Sequence, residues 1–438
     1  MNCGTILGFL VGRRNAISEI VNCQGSLWVG GLFVLSAGFA REYNQEDLLH
    51  APWYLIVPLI ASLATSFVLF CLLYMAARCH APGPIEFLPF YRRFLSLYWM
   101  TAPLAWIYAI PVESFLNSAD SVRANLGFLA LVSLWRVLLI SRCASVLFGF
   151  PYVAAFFLVM LFADTLALGI LSLTPLPVFN IMGGIPLTES EAVIRDTACN
   201  VQFFGGVSWL IWFIGTCIIF GMTKRHWMPL TVDENSSAPI SKPLWAVCIL
   251  ALLVWIGILP YSQPPQRLRR EVEADLLNNR IELALGTMSN HERSAFPTHW
   301  DPPPWQGYGQ DTPPLLEVMQ AIDEQVTADW VKDVYFEKLS RRIASSAPSI
   351  TYFWVSLTDE EFNSYMTIIE DNSRLHDTVR SHADIFRNLI YYDSEPNSAR
   401  RKRLRSLLTN LGIDLQKDED EHEPEDDVEP AGDSVDRR

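Results

Sequence analysis

The sequence predicts an all-α fold: a polytopic α-helical membrane protein of about seven spans with a C-terminal, mostly helical extramembrane domain. Three observations predict it. Half of the 438 residues (50%) are hydrophobic, with 14 Trp and 25 Phe, and the mean hydropathy is +0.20; aqueous domains of this length are rarely so apolar. The long apolar runs all precede Pro260. The charge divides at the same place. Up to Pro260, 13 Lys and Arg balance 13 Asp and Glu, whereas 20 face 34 from Tyr261 onward, so the whole formal charge of −14 sits on the C-terminal part. An acidic domain lacks the basic footprint that nucleic acid requires, and no nucleic-acid partner is expected.

Residues 1–24 read as a segment of their own. The apolar run Ile6–Val11 is too short for a signal peptide, and Arg13 and Arg14 follow it rather than precede it. The expectation is a short amphipathic helix lying at the interface, with both arginines among the headgroups. Residues 25–260 read as the transmembrane helical domain. Its first span, Gly25–Ala40, is short against the roughly 20 residues a bilayer requires. The second is Tyr54–Ala76, with Trp53 and Tyr54 where an aromatic belt places them. The third, Phe94–Ile110, follows a connection containing Pro82, Pro84 and Pro89. The fourth and fifth, Ala124–Ile140 and Tyr152–Leu173, make a hairpin around a turn at Ser141–Pro151. In the next connection Thr188 and Glu191 have capping-box spacing, which predicts a short helix over Glu189–Cys199. Phe204–Met222 and Leu244–Leu259 are the sixth and seventh spans.

Two strings carry a resemblance. LSAGFAREYNQEDLLHAPW (Leu35–Trp53), running into LIVPLIASLATSF, resembles a family of bacterial integral membrane proteins that has no assigned activity. FPTHWDPPPWQGYGQDTPPLLEV (Phe296–Val318) is similar to the C-terminal half of the same family. Multispan proteins of the Yip type offer a second likeness, without a motif. The resemblance implies a bacterial inner-membrane protein with an appended domain, and it carries over no functional residue.

Residues 261–415 form the extramembrane domain. Leu268, Val272, Leu276 and Ile281 make a helical stripe leaving the membrane. After a Pro-rich segment, helices are predicted over Pro314–Val326 and Asp329–Ala344, and one strand over Ser349–Ser356. Thr358 with Glu361 caps a helix through Asp371. Two more helices are expected over Ser373–Tyr391 and Asn397–Leu411. Residues 416–438 are acidic and almost without apolar side chains, the composition of a disordered tail.

Nine Lys and Arg (Arg13, Arg14, Arg78, Arg92, Arg93, Arg142, Lys224, Arg225 and Lys242) fall on the side of the N-terminus and three (Arg41, Arg123 and Arg195) on the other. The positive-inside rule then makes the N-terminus cytoplasmic and, with seven crossings, puts the C-terminal domain outside. Arg267, Arg269 and Arg270, just after the last span, run against this assignment. The eight cysteines show no CxxC or Cys/His spacing and read as small packing residues.

Arg136 and Asp164 are the two ionisable residues inside the hairpin spans. A charge near the bilayer centre costs about 2.5–3.5 kcal/mol on insertion scales, so such residues face the bundle interior, where they fix packing or line an ion path. Counted from the predicted turn they lie at different depths, roughly 12 Å apart. Trp300, Trp305 and Tyr308 sit in a Pro-rich segment that either docks a protein partner or packs on its own domain. His376 and His382 are six apart, off one helical face, and read as solvated. No metal, cofactor or catalytic motif is present. The expected role is a non-enzymatic, membrane-anchored interaction or assembly protein, with the lipid bilayer and a protein as its partners. A transporter or channel component using Arg136 and Asp164 is the alternative, and an intramembrane enzyme the third.

Overall fold

The computed structural model describes residues 1–40, 47–80, 86–173, 188–222, 230, 239–305, 312–344, 353–392 and 398–413. These are helical, with no strand among them. They fall into two compact units. The first lies within Met1–Phe179 and Leu187–Pro303, and the second, among the described residues, begins at Pro304.

The first unit is the membrane bundle. Helices α1 (Cys3–Leu10), α2 (Arg14–Val21) and α3 (Ser26–Ala40) open it. They are followed by α4 (Val57–His80), α5 (Phe87–Trp99), α6 (Ser118–Phe148), α7 (Tyr152–Leu173), α8 (Glu189–Met222), α9 (Lys242–Leu277) and α10 (Ile281–Ser289). Six segments are long and apolar enough to cross a membrane, and the chain is a multi-pass membrane protein. Only 15 residues long, α3 meets α2 at a bend of 106°. Counted with α2 as one bent span, it would bring the number of crossings to seven. Gly25, before α3, lies against Ile240, and the Leu48 N–H donates to Gln263 Oε1 of α9 (2.6 Å).

The two ends differ in what joins them. At the first end the Ser241 N–H donates to the Met1 carbonyl (2.9 Å), and His80 Nε2 meets the Phe220 carbonyl (3.1 Å). At the second, Arg123 pairs with Glu189 (3.5 Å), Arg270 pairs with Asp47 (3.0 Å) and His299 reaches the Leu116 carbonyl (3.0 Å). The core lies toward the first end. Phe70, Phe94 and Phe148 are fully buried with ring centroids 5.8–6.5 Å apart, a spacing at which aromatic pairs attract.

Several expectations are corrected. The residues before Cys23 form two helices and not one: Gly12 turns the chain between them at φ +73°, and Phe9, Ile17 and Ile20 are fully buried in the bundle core. The hairpin turn is shorter than Ser141–Pro151, because α6 continues to Phe148 and ends on Gly149 in the left-handed region (φ +75°). Span three starts at Phe87 and changes to a 3-10 helix over Ala102–Ala109, where Pro103 interrupts the α ladder. The capped helix at Glu189 does not stop at Cys199 but runs on into the sixth span, since no Gly or Pro intervenes. The seventh span passes through Pro260, Pro264 and Pro265 to Leu277. The two compact units divide after Pro303, since α9 has no break at Pro260 and carries the first unit past it.

The second unit packs α11 (Leu315–Glu324), α12 (Asp329–Ala344), α13 (Asp359–Asp371), α14 (Ser373–Ser381), α15 (Ala383–Tyr392) and α16 (Ala399–Asn410) around Tyr335, Trp354, Phe362, Tyr365, Phe386 and Leu408. The expected strand is overturned where it is described: residues 353–356 are helical. Trp354, 1% exposed, is held there by the rings of Phe362, Tyr365 and Phe386, and this packing overrides local β propensity. The helix expected over Ser373–Tyr391 is interrupted at His382. The tail at 416–438 lies outside the described residues.

Candidate functional site

The hairpin charges occupy the middle of α6 and α7. Arg136 precedes the last residue of α6, Phe148, by twelve positions, and Asp164 follows the first residue of α7, Tyr152, by twelve. They therefore stand at similar depth, and the separation of roughly 12 Å expected from the sequence disappears once α6 is seen to continue past Ser141. They still do not pair, because they face different neighbours. The Arg136 guanidinium lies 4.6 Å from the centroid of the Tyr98 ring on α5, and its buried Nε has no hydrogen-bond partner. Asp164 looks toward α8, where the Ser208 hydroxyl approaches its Oδ2 at 2.5 Å and the Gly205 carbonyl at 3.1 Å. Beside it the Trp209 indole N–H donates to Thr165 Oγ1 (2.8 Å), and Thr165 in turn donates to the Leu161 carbonyl (2.7 Å).

The seam between α7 and α8 is thus two polar rungs, Asp164–Ser208 and Thr165–Trp209, with aromatic packing toward the first end. Trp212 stands edge-on to Phe156 and Phe157 (5.6 and 5.1 Å). Hydrogen bonds of this kind hold membrane helices together where water is absent. Ser208, Thr165 and Tyr98 were not singled out from the sequence. The available signal was adjacent polar pairs in two apolar runs, at 164–165 and 208–209, but nothing in either run says that they meet.

The aromatic segment divides between the two units. Trp300, in the first, is 9% exposed and stacks on Phe296 (5.0 Å). Its indole N–H donates to Glu273 Oε1 (2.9 Å), and its carbonyl accepts from Arg293 (2.7 Å). Burial lowers the Arg293 pKa from its ordinary value. Trp300 therefore packs on its own unit. Trp305 belongs to the second unit and is half-buried; Tyr308 lies outside the described residues. His376 and His382 bond backbone carbonyls, of Glu370 and Thr378 respectively, and do not converge. Among the described residues no three His, Cys, Asp or Glu side chains converge as metal ligands.

In the second unit, Arg342 lies over the Phe353 ring at 3.9 Å. Burial lowers its pKa and raises that of the neighbouring Tyr365, which is 3% exposed. Comparison with family models, curated proteins and solved structures found no match to this chain.

Proposed function

We propose that this is a non-enzymatic, membrane-anchored interaction protein of the inner membrane, whose second unit meets a protein partner. The N-terminus is cytoplasmic in this reading, and the second unit stands on the opposite side. The observation that carries it is the state of the intramembrane charges. Arg136 and Asp164, although level, are each engaged by a separate packing contact, with Tyr98 and with Ser208, and form no relay with one another. The second unit has its own compact helical core.

The test uses the full-length chain carrying a photo-crosslinking residue at exposed positions of the second unit, such as Val326 and Val355. The expected result is one protein adduct, unchanged in the Asp164→Asn variant. If crosslinking at these positions yields no protein, while Asp164→Asn abolishes proton-dependent uptake by vesicles holding the purified chain, the transport reading replaces this one. The half-buried carboxylate between α7 and α8 is the feature favouring that second reading.

A further inference from the structure

The first end of the bundle gathers three arginines around one turn. Arg13 and Arg14 follow the Gly12 turn, and Arg142 of α6 reaches the same turn, its Nε donating to the Gly12 carbonyl at 3.3 Å. None of the three has an acidic partner among the described residues. The nearby carboxylate of Glu19 is taken by the Met1 amine (3.0 Å) and the Thr5 hydroxyl (3.0 Å). At the second end three arginines are paired with carboxylates: Arg123 with Asp120 and Glu189, Arg270 with Asp47, and Arg280 with Asp275.

Guanidinium groups gathered around one turn attract an anion, and phosphate suits them. The turn offers more than charge. No side chain caps α2, so the first N–H groups of that helix have no partner within it, and Arg14 and Asn15 at its start are exposed, which suits an anion. The surface beside it is apolar. Leu7 (67% exposed), Val11 (66%) and Trp135 (39%) face outward, and the Trp135 indole N–H is fixed on the Leu10 carbonyl at 2.9 Å. A free phosphate has no use for such a wall, whereas the acyl chains of a lipid would cover it.

We infer that Arg13, Arg14 and Arg142 bind the phosphate of an anionic phospholipid whose chains lie along Leu7, Val11 and Trp135. The site is independent of the role proposed above for the second unit.

The test is native mass spectrometry of the full-length protein released from phosphatidylcholine nanodiscs that contain a minor fraction of phosphatidylglycerol. The wild type should leave with phosphatidylglycerol bound. Arg142→Gln should lower the retained anionic lipid about fivefold, as about 1 kcal/mol per basic residue at a membrane surface implies. Arg13→Gln combined with Arg14→Gln should lower it further. These two side chains are exposed, so the double variant remains informative if Arg142→Gln misfolds. Arg123→Gln, at the second end, should change nothing. The proposal is overturned if phosphatidylglycerol is not enriched over phosphatidylcholine, if Arg123→Gln has the same effect, or if excess inorganic phosphate displaces the lipid, which would make this a free-anion site.

Discussion

Tyr365 shows how a single side chain sets a pH limit. Burial raises its phenol pKa above the ordinary value, and the backbone of Leu316 hydrogen-bonds it. A raised folded-state pKa means that the stabilisation is complete below the unfolded phenol range, near 10, and is lost as pH rises toward the folded value. Hydrogen exchange of the 359–371 segment in the full chain should accelerate in that alkaline window. Tyr365→Phe should remove the alkaline branch and cost about 1 kcal/mol at neutral pH through the lost hydrogen bond; an unchanged alkaline branch would assign the effect to another group. At this scale the candidate site was half legible. Arg136 and Asp164 stand out because charges are rare in apolar runs. Their partners Tyr98 and Ser208 do not, because which residues face each other depends on how α5 and α8 are rotated about their axes.

Among the elements, the capping boxes were the most legible feature. Thr358 and Glu361 exchange both bonds at the start of α13 (2.8 and 3.2 Å), and Thr188 and Glu191 do the same before α8 (2.8 and 3.3 Å). The bonds donated by Thr358 hold the Glu361 carboxyl pKa below its usual value. The contribution of that carboxylate is therefore present above the unfolded glutamate range and fades as pH falls through the lower folded value. Thr358→Ala should cost about 1 kcal/mol, read as faster exchange in the first turn of α13; no change in exchange would argue against the cap. Close packing was not legible. A Cβ at Gly215 would run into the Phe157 ring, so Gly215→Ala should loosen α8 from α7 and cost about 1–3 kcal/mol in a thermal melt. Arg142 marked the end of a span in the sequence, yet the Gly12 carbonyl receives its Nε and the helix continues for six more residues to Phe148. The aromatic stretch at 353–356 read as strand because local composition carries no record of the pocket that receives Trp354.

Over the whole molecule, hydropathy and charge sufficed for the class of fold, since the bilayer imposes both. They did not show that α9 would continue unbroken through Pro260, Pro264 and Pro265. Each proline removes one N–H from the ladder, but a helix can carry that loss when neighbouring segments pack on it. Here the Leu48 N–H engages Gln263, and Asp47 engages Arg270. Seven crossings predict that the two ends of the chain lie on opposite sides of the membrane. A protease added to intact spheroplasts should release a tag placed after Arg438; protection until lysis would place both ends on one side.

The continuity of α9 has a rotational consequence. Its 36 residues have a contour of about 54 Å, against about 30 Å of hydrocarbon, so the helix is longer than a crossing requires. Glu273, which receives the Trp300 indole, lies near its C-terminal end. Along an unbroken helix, azimuth is counted in residues. One residue inserted after Gln266 turns everything beyond it by about 100°, carrying Arg270 away from Asp47 and aiming the Trp300 segment at a different bearing, while seven inserted residues nearly restore the bearing and only lengthen the reach.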